Sequence, residues 1–215
     1  MKTIHLKRCF FVIIKEMEKL ILNLIKEGIL KTKSVIEAFR NIDRKDFILS
    51  EYKEDAYKDI PLPIGYGQTI SQPTTVAFML ELLQVKKGDR VLDVGSGSGW
   101  TTALLSYLAK DGFVWGVEIL PELVLFGKSN LSKYNFKNSI ILEAKEEIGL
   151  REKGPFDKIL VSASAETVPF LLLEQLKEGG IMVIPIRDSI WKIKKINGKI
   201  ETEVFEGFLF VPLID

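Results

Sequence analysis

Cysteine and histidine are nearly missing from this chain: its 215 residues hold one of each, Cys9 and His5. A single cysteine excludes an intramolecular disulfide and is too few for a zinc cluster, which fits a reducing, cytoplasmic setting. His5 stands ahead of every motif in the chain, so schemes that need a histidine base are disfavoured. An excess of charge of one sign is missing too. Thirty Lys and Arg face 29 Asp and Glu, for a net charge of +1. No basic field points to nucleic acid as a partner. Long apolar runs are also absent. Cys9–Ile14 is closed by Lys15 and Glu16, is too short to span a bilayer, and precedes no small-residue cleavage site, so no membrane association is expected. Repeats and low-complexity tracts are not found. Few glutamines beside many Lys, Glu and Ile point to a heat-adapted source.

What is present is a chain 47% hydrophobic, long enough for one α/β unit with a sizeable core. Its centre is Arg90–Trp100, in which a short apolar run ends in Asp93 and glycines follow at 95, 97 and 99. That pattern predicts a strand, a tight turn and a helix start, the opening of a nucleotide-binding unit. The spacing is not the dinucleotide Gly-x-Gly-x-x-Gly, and position 100 is a bulky Trp. An acid two residues before Gly-x-Gly-x-Gly resembles motif I of S-adenosylmethionine-dependent methyltransferases. Glu118 lies 19 residues after Gly99, at the end of the next predicted strand. In this topology such an acid accepts hydrogen bonds from ribose hydroxyls.

Residues 1–16 read as an extension, either an added strand or helix or translation begun upstream of a natural start at Met17. Residues 17–59 read as a helical cap, with helices over Met17–Glu27 and from Thr32 or Lys33 to Phe39, then a turn at Asn41–Arg44. Residues 60–215 read as the main unit, forming one compact body with the cap. Prolines and glycines across Pro61–Pro73 predict a long irregular loop of functional type. Helices are expected over Thr74–Leu83, Thr101–Ala109, Pro121–Lys133 and Val168–Leu176. Strands are expected at Arg90–Val94, Phe113–Ile119, Ser139–Ala144, Phe156–Ala163 and Ile181–Ile186. Asn197-Gly198 predicts a type I′ hairpin between Trp191–Ile196 and Lys199–Val204, and Phe208–Ile214 a last strand. The fold class is α/β: a doubly wound, Rossmann-like methyltransferase sheet with antiparallel edge strands and an N-terminal helical cap.

Leu62 to Pro73 carries Gly67-Gln68-Thr69-Ile70-Ser71-Gln72-Pro73. With Val91–Gly99, Pro155-Phe156-Asp157, Gln175–Gly180 and Phe210-Val211-Pro212-Leu213, it makes the chain from about residue 17 onward resemble the protein-L-isoaspartate O-methyltransferases. The resemblance implies an enzyme that moves a methyl group from S-adenosyl-L-methionine to L-isoaspartyl carboxylates in damaged proteins and peptides, initiating repair. It implies Ser71 as the active-site residue, with Gln68, Thr69, Ile70 and Gln72 meeting substrate. Asp93, Gly95, Ser96, Gly97, Ser98, Gly99, Glu118 and Ile119 would meet the cofactor, and no metal is required. The chemistry suits the composition. A carboxylate of pKa near ~4 is ionised at neutral pH and needs no base, so activity is expected to be flat from about pH 6 to 8.

Three positions depart from the family. Ala144-Lys145-Glu146 stands where the family has Gly-Asp-Gly, whose aspartate reaches the adenine amino group, and lysine cannot accept a hydrogen bond. Glu146, the next residue, or Glu143, two residues before, is the expected substitute acceptor. Arg187 replaces a glycine, and Trp191 a glutamine near the cofactor. Two other readings stay open: a related methyltransferase with another substrate, and a catalytically impaired homologue. The oligomeric state is open as well.

Overall fold

The computed structural model describes residues 16–213, so the readings for residues 1–15, Cys9 and His5 included, and for Ile214 fall outside it. Helix α1 (residues 16–26) ends at Gly28, whose φ of +71° lets the chain turn. Helix α2 (Lys33–Asn41) runs two residues past the expected Phe39. The predicted turn at Asn41–Arg44 is the end of that helix followed by a 3₁₀ turn, Arg44–Phe47, which Asp43 caps by accepting from the Lys45 N–H at 2.9 Å.

The stretch Pro61–Pro73 is more regular than its composition suggests. Strands β1 (Leu62–Gly65) and β2 (Gln68–Ile70) pair as an antiparallel hairpin. Tyr66 and Gly67 both have positive φ, 55° and 72°, the backbone a type I′ turn needs. Pro63 is tolerated because this hairpin is a separate two-stranded ribbon, where a missing N–H costs little. Helix α3 (Pro73–Leu83) follows, with Pro73 in its first turn.

Then come β3 (Arg90–Val94), α4 (Trp100–Ala109), β4 (Phe113–Glu118), α5 (Pro121–Leu131) and β5 (Ser139–Glu143). After them stand β6 (Phe156–Val161), α6 (Phe170–Gln175), β7 (Leu176–Ile186), β8 (Ser189–Ile196) and β9 (Lys199–Glu206). Two expectations change. Strand β7 begins at Leu176 rather than Ile181. The register with β6 jumps from Phe156↔Leu176 to Lys158↔Ile181, so a bulge absorbs Gly179 and Gly180 inside the strand. The tail Phe208–Leu213 is not a strand. Its one pairing is the bridge Ser164↔Pro212, because the edge beside β8 is already taken by β9. The Asn197-Gly198 hairpin stands as expected, with φ of 52° and 71°.

The sheet order is β5-β4-β3-β6-β7-β8-β9, parallel through β7 and antiparallel beyond it. Side chains alternate between two apolar layers. Val91, Val114, Ile141, Leu160 and Val183 face α3, α4, α5 and the cap helices, while Leu92, Trp115, Ile159 and Met182 face Leu150, α6 and Leu176. The chain steps from β3 to β5 in one direction and restarts at β6 on the other side of β3. A crevice therefore opens at the carboxyl ends of β3 and β6, where α/β sheets bind ligands.

Candidate active site

That crevice holds a cavity of about 300 Å³, at the lower end of the usual range for small-molecule sites. Its floor is Gly95–Ser98 after β3, Glu118 at the end of β4 with Ile119 beyond it, and Ser162 after β6. Ala144–Gly149 forms a side wall, the β1–β2 hairpin a lid through Ile64 and Gln68–Ser71, and Val211–Leu213 closes the far side.

The glycine turn is shaped by contact as well as by φ. Gly97 sits at φ +48°, and a Cβ there would come within 3.2 Å of Ile64 Cδ1 in the lid. Helix α5 presses on the turn from beneath: a Cβ on Gly127 would lie 2.7 Å from the Gly97 carbonyl oxygen. From the same helix, buried Asn130 Nδ2 donates to the Ser98 carbonyl at 3.0 Å. Glu118 is oriented by three backbone donors. Its Oε2 accepts from Gly97 N–H at 2.9 Å, and its Oε1 from Ile119 and Leu120 N–H at 2.9 and 3.0 Å. The Ser96 hydroxyl, on the cavity wall, is buried without a partner among the described residues. These are features of a wall shaped for a polar ligand.

Two of the expected cofactor residues stand back from the cavity. Asp93 is fully buried behind the turn, and its Oδ2 accepts from the Thr101 and Thr102 hydroxyls at 2.8 and 2.6 Å. Burial pushes its carboxyl up to about 6, the two hydroxyls pulling the other way, and Oδ1 has no partner among the described residues. Gly99 faces α5: a Cβ there would meet the Gly127 carbonyl at 3.0 Å. Both shape the turn rather than line the cavity.

A second cavity of about 240 Å³ lies beside the first, lined by Pro61, Thr75, Gln72 and Leu209–Val211. Thr69, Ser71, Ser162 and Val211 belong to the walls of both. Ser71 therefore stands at the junction, half-buried, and its hydroxyl has no hydrogen-bond partner among the described residues. Of the expected substrate residues, Gln68 and Ile70 line only the first cavity and Gln72 only the second. Gln72 Nε2 donates to Asp59 at 3.2 Å, and Asp59 also accepts from the Thr74 N–H and hydroxyl at 2.8 and 2.6 Å.

Sequence reasoning missed several groups. Arg44 holds the Ser71 carbonyl, Asp59 anchors the start of α3, and Ser162 and Val211 line the junction. Gln175 grips the side wall, accepting from Leu150 N–H at 2.7 Å and donating to Ile148 O at 2.9 Å. Gly149, at φ +94°, was the one local signal of that grip: its Cβ would fall 2.4 Å from Gln175 Oε1.

The departures separate. Lys145 and Glu146 line the first cavity, and Lys145 pairs with Glu152, whereas Glu143 is at the exposed end of β5 and does not line it. Arg187 lies in the β7–β8 turn at φ +54° beside Glu166 at 3.4 Å, a left-handed backbone that glycine adopts most readily. Trp191 packs into the apolar layer beneath the sheet. Neither of these two residues lines either of the two cavities.

Comparison with known proteins agrees with this geometry. Residues 15–215 match the family model described as Protein-L-isoaspartate(D-aspartate) O-methyltransferase (PCMT). The chain is similar to the protein-L-isoaspartate O-methyltransferase of Fervidobacterium nodosum, 43% identical over 85% of this chain and 94% of the relative. The Pyrococcus abyssi protein of the same name is 43% identical over 88% of this chain and 90% of its own length. A candidate protein-L-isoaspartate O-methyltransferase from Plasmodium falciparum, solved with S-adenosyl-L-homocysteine, superposes with a TM-score of 0.81 at 32% identity, covering 91% of this chain and 97% of that one. By its motifs, its fold and these likenesses, the chain belongs to the protein-L-isoaspartate O-methyltransferase family.

Proposed function

We propose that this enzyme methylates the free carboxylate of L-isoaspartyl residues in damaged proteins and peptides, with S-adenosyl-L-methionine as donor. The observation that carries the reading is the meeting of two cavities at Ser71, one with a glycine turn and the strand-end acid Glu118, the other lined by Gln72, Thr75 and Leu209–Val211.

The residues present fit the donor. Gly95–Ser98 offers backbone approach and the unpartnered Ser96 hydroxyl, and Glu118 Oε2 keeps a lone pair for a ribose hydroxyl. Lys145 and Glu146 lie on the adenine side of the wall, where Glu146 is the available acceptor. When bound, the donor supplies a methyl group already activated on a sulfonium. The chain's own task is then alignment and exclusion of water. The Ser71 hydroxyl donates to one substrate carboxylate oxygen and leaves the other as nucleophile. Thr69 and Val211 hold the chain on either side of it. No side chain has to accept a proton, because the nucleophile arrives ionised. Buried Asp93 keeps Thr101 and Thr102, the first turn of α4, in register with the glycine turn.

Among the described residues no helix is long and apolar enough to cross a membrane, and no cluster of metal-ligating side chains occurs. Transfer of a labelled methyl group to an isoaspartyl peptide, but not to its aspartyl twin, is the expected result. Equal labelling of the twin, or labelling of neither, sinks the reading. Calorimetry with the donor separates an impaired homologue, which would give no heat at millimolar ligand.

A further inference from the structure

Arg44 is completely buried, yet no carboxylate among the described residues pairs with it. Its guanidinium donates instead to four backbone carbonyls: Nη1 to Ala56 at 2.9 Å and Lys58 at 3.2 Å, Nη2 to Ile60 at 2.8 Å and Ser71 at 3.1 Å. Its carbon Cζ lies 5.4 Å from the ring centre of Trp100, the first residue of α4 beyond the glycine turn. The 3₁₀ turn that carries Arg44 is also tied to the donor side. Lys133 Nζ donates to the Asp46 carbonyl and to Asn130 Oδ1, and Asn130 Nδ2 donates to Ser98 O. One chain of contacts thus runs from the glycine turn through Asn130, Lys133 and the Arg44 turn to Ser71.

A buried cation that no carboxylate contacts, with Asp59 acting on it only from a distance, is a poor device for stability, since an apolar side chain of similar volume would fill the space at lower cost. What a guanidinium adds is a planar set of donors that fixes several carbonyls at once. We infer that Arg44 is a positioning residue for methyl transfer, holding the Ser71 loop at a set distance and angle from the donor turn. The inference rests on the proposed role of Ser71. It goes further in assigning the alignment of the two cavities to a side chain that touches neither substrate nor donor.

Wild-type labelling of the isoaspartyl peptide is measured first, so a failure of the proposed activity is seen separately. Arg44→Lys and Arg44→Met are then compared with Ile21→Val, which loosens the same cap from helix α1. For Arg44→Lys, kcat should fall by about tenfold or more, because an ammonium cannot bridge four carbonyls, while the calorimetric Kd for S-adenosyl-L-homocysteine moves by less than about threefold. Arg44→Met should lose at least as much kcat, and Ile21→Val should keep kcat within about twofold. Three results overturn the inference: folded Arg44 variants with wild-type kcat, a kcat loss equalled by Ile21→Val, or a loss matched by weaker S-adenosyl-L-homocysteine binding. Failure of Arg44→Lys to fold also overturns it, since the role would then be structural. Arg44→Met is not needed for the decision if it does not fold.

Discussion

The glycine turn after β3 and the hairpin before α3 face each other across one cavity, but they are held in different ways. The turn is a local structure. Its φ values are set by glycines, it is flanked by a buried strand and a helix, Glu118 holds it within one βαβ unit, and its hydrogen bond from Asn130 comes from the very next helix. The hairpin is two short strands outside the main sheet, and Ser71 beyond it is fixed by groups distant in sequence. Arg44 reaches it across 27 residues, and Asp59 reaches Thr74 across 15. A local device keeps its shape through backbone geometry, whereas a remote one depends on whichever long side chain reaches it. Donor binding should therefore be hard to perturb from outside the βαβ unit, and turnover easy.

The sharpest test removes the local device. Gly97→Val puts a branched side chain at φ +48°, against Ile64 of the hairpin at 3.2 Å and into the ligand's approach. Calorimetry should detect no saturable binding of S-adenosyl-L-homocysteine at millimolar concentration. Unchanged affinity would remove the turn from the site.

Asp93 lies behind the same turn and gives the next largest effect. Its carboxyl titrates at about 6 when folded, against an ordinary value of 3.8, because of burial. A folded-state value above the unfolded one means that the folded chain keeps a proton the unfolded chain gives up. The stability this group supplies is complete below about pH 4 and is lost as pH rises through about 6, a fall of about 3 kcal/mol. Asp93→Asn should abolish that slope, so the difference in stability between variant and wild type changes by that amount between about pH 4 and 6, and parallel curves would show Asp93 is not the cause. The same group qualifies the flat pH profile expected from composition. Activity should be level from about pH 7 to 8, and any limb near 6 should vanish in Asp93→Asn.

Ser71→Ala tests the remote device. A hydrogen bond to a charged group is worth about 1.5–3 kcal/mol, so kcat should drop by about ten- to a hundredfold while S-adenosyl-L-homocysteine affinity stays within about threefold. Equal losses in both would mean that the two regions are not separable as described.

The smallest change concerns the side wall Ala144–Gly149, proposed above to face adenine. Lys145→Asp restores an acceptor at a cavity-lining position and gives up only an exposed pair with Glu152. S-adenosyl-L-homocysteine binding should tighten by less than about tenfold, read by calorimetry. Weaker binding would show that Glu146 or backbone already serves adenine, and that Lys145 belongs where it is.

Most of the main sheet was legible because its signals are short-range. A buried parallel strand is an apolar run, as in Val91–Val94, and a helix repeats its apolar face within two turns. The glycine turn and Glu118 were legible for the same reason: φ and strand-end position follow from nearby residues. The failures share a cause as well. Pro63 and two glycines argued against β1 and β2, yet Tyr66 and Gly67 make a turn that pairs them. Gly179 and Gly180 looked like a break and are a bulge inside β7, visible only once β6 lies alongside. Phe208–Leu213 has strand composition but found the sheet edge occupied.

The sequence by itself determined the order of strands and helices from β3 to β9, the turn after β3, the acid at the end of β4 and the family to which Ser71 belongs. Those follow from side-chain periodicity and backbone preference, which act over a few residues. Only the tertiary structure decided that Asp93 and Gly99 stand behind the cavity, that Arg187 and Trp191 lie away from it, and that Arg44 ties Ser71 to the cap. The reason is distance along the chain. Nothing near Arg44 in sequence marks it as buried, and the carbonyls that receive its guanidinium lie 12 to 27 residues away, brought together only when the cap, the hairpin and α4 share one core.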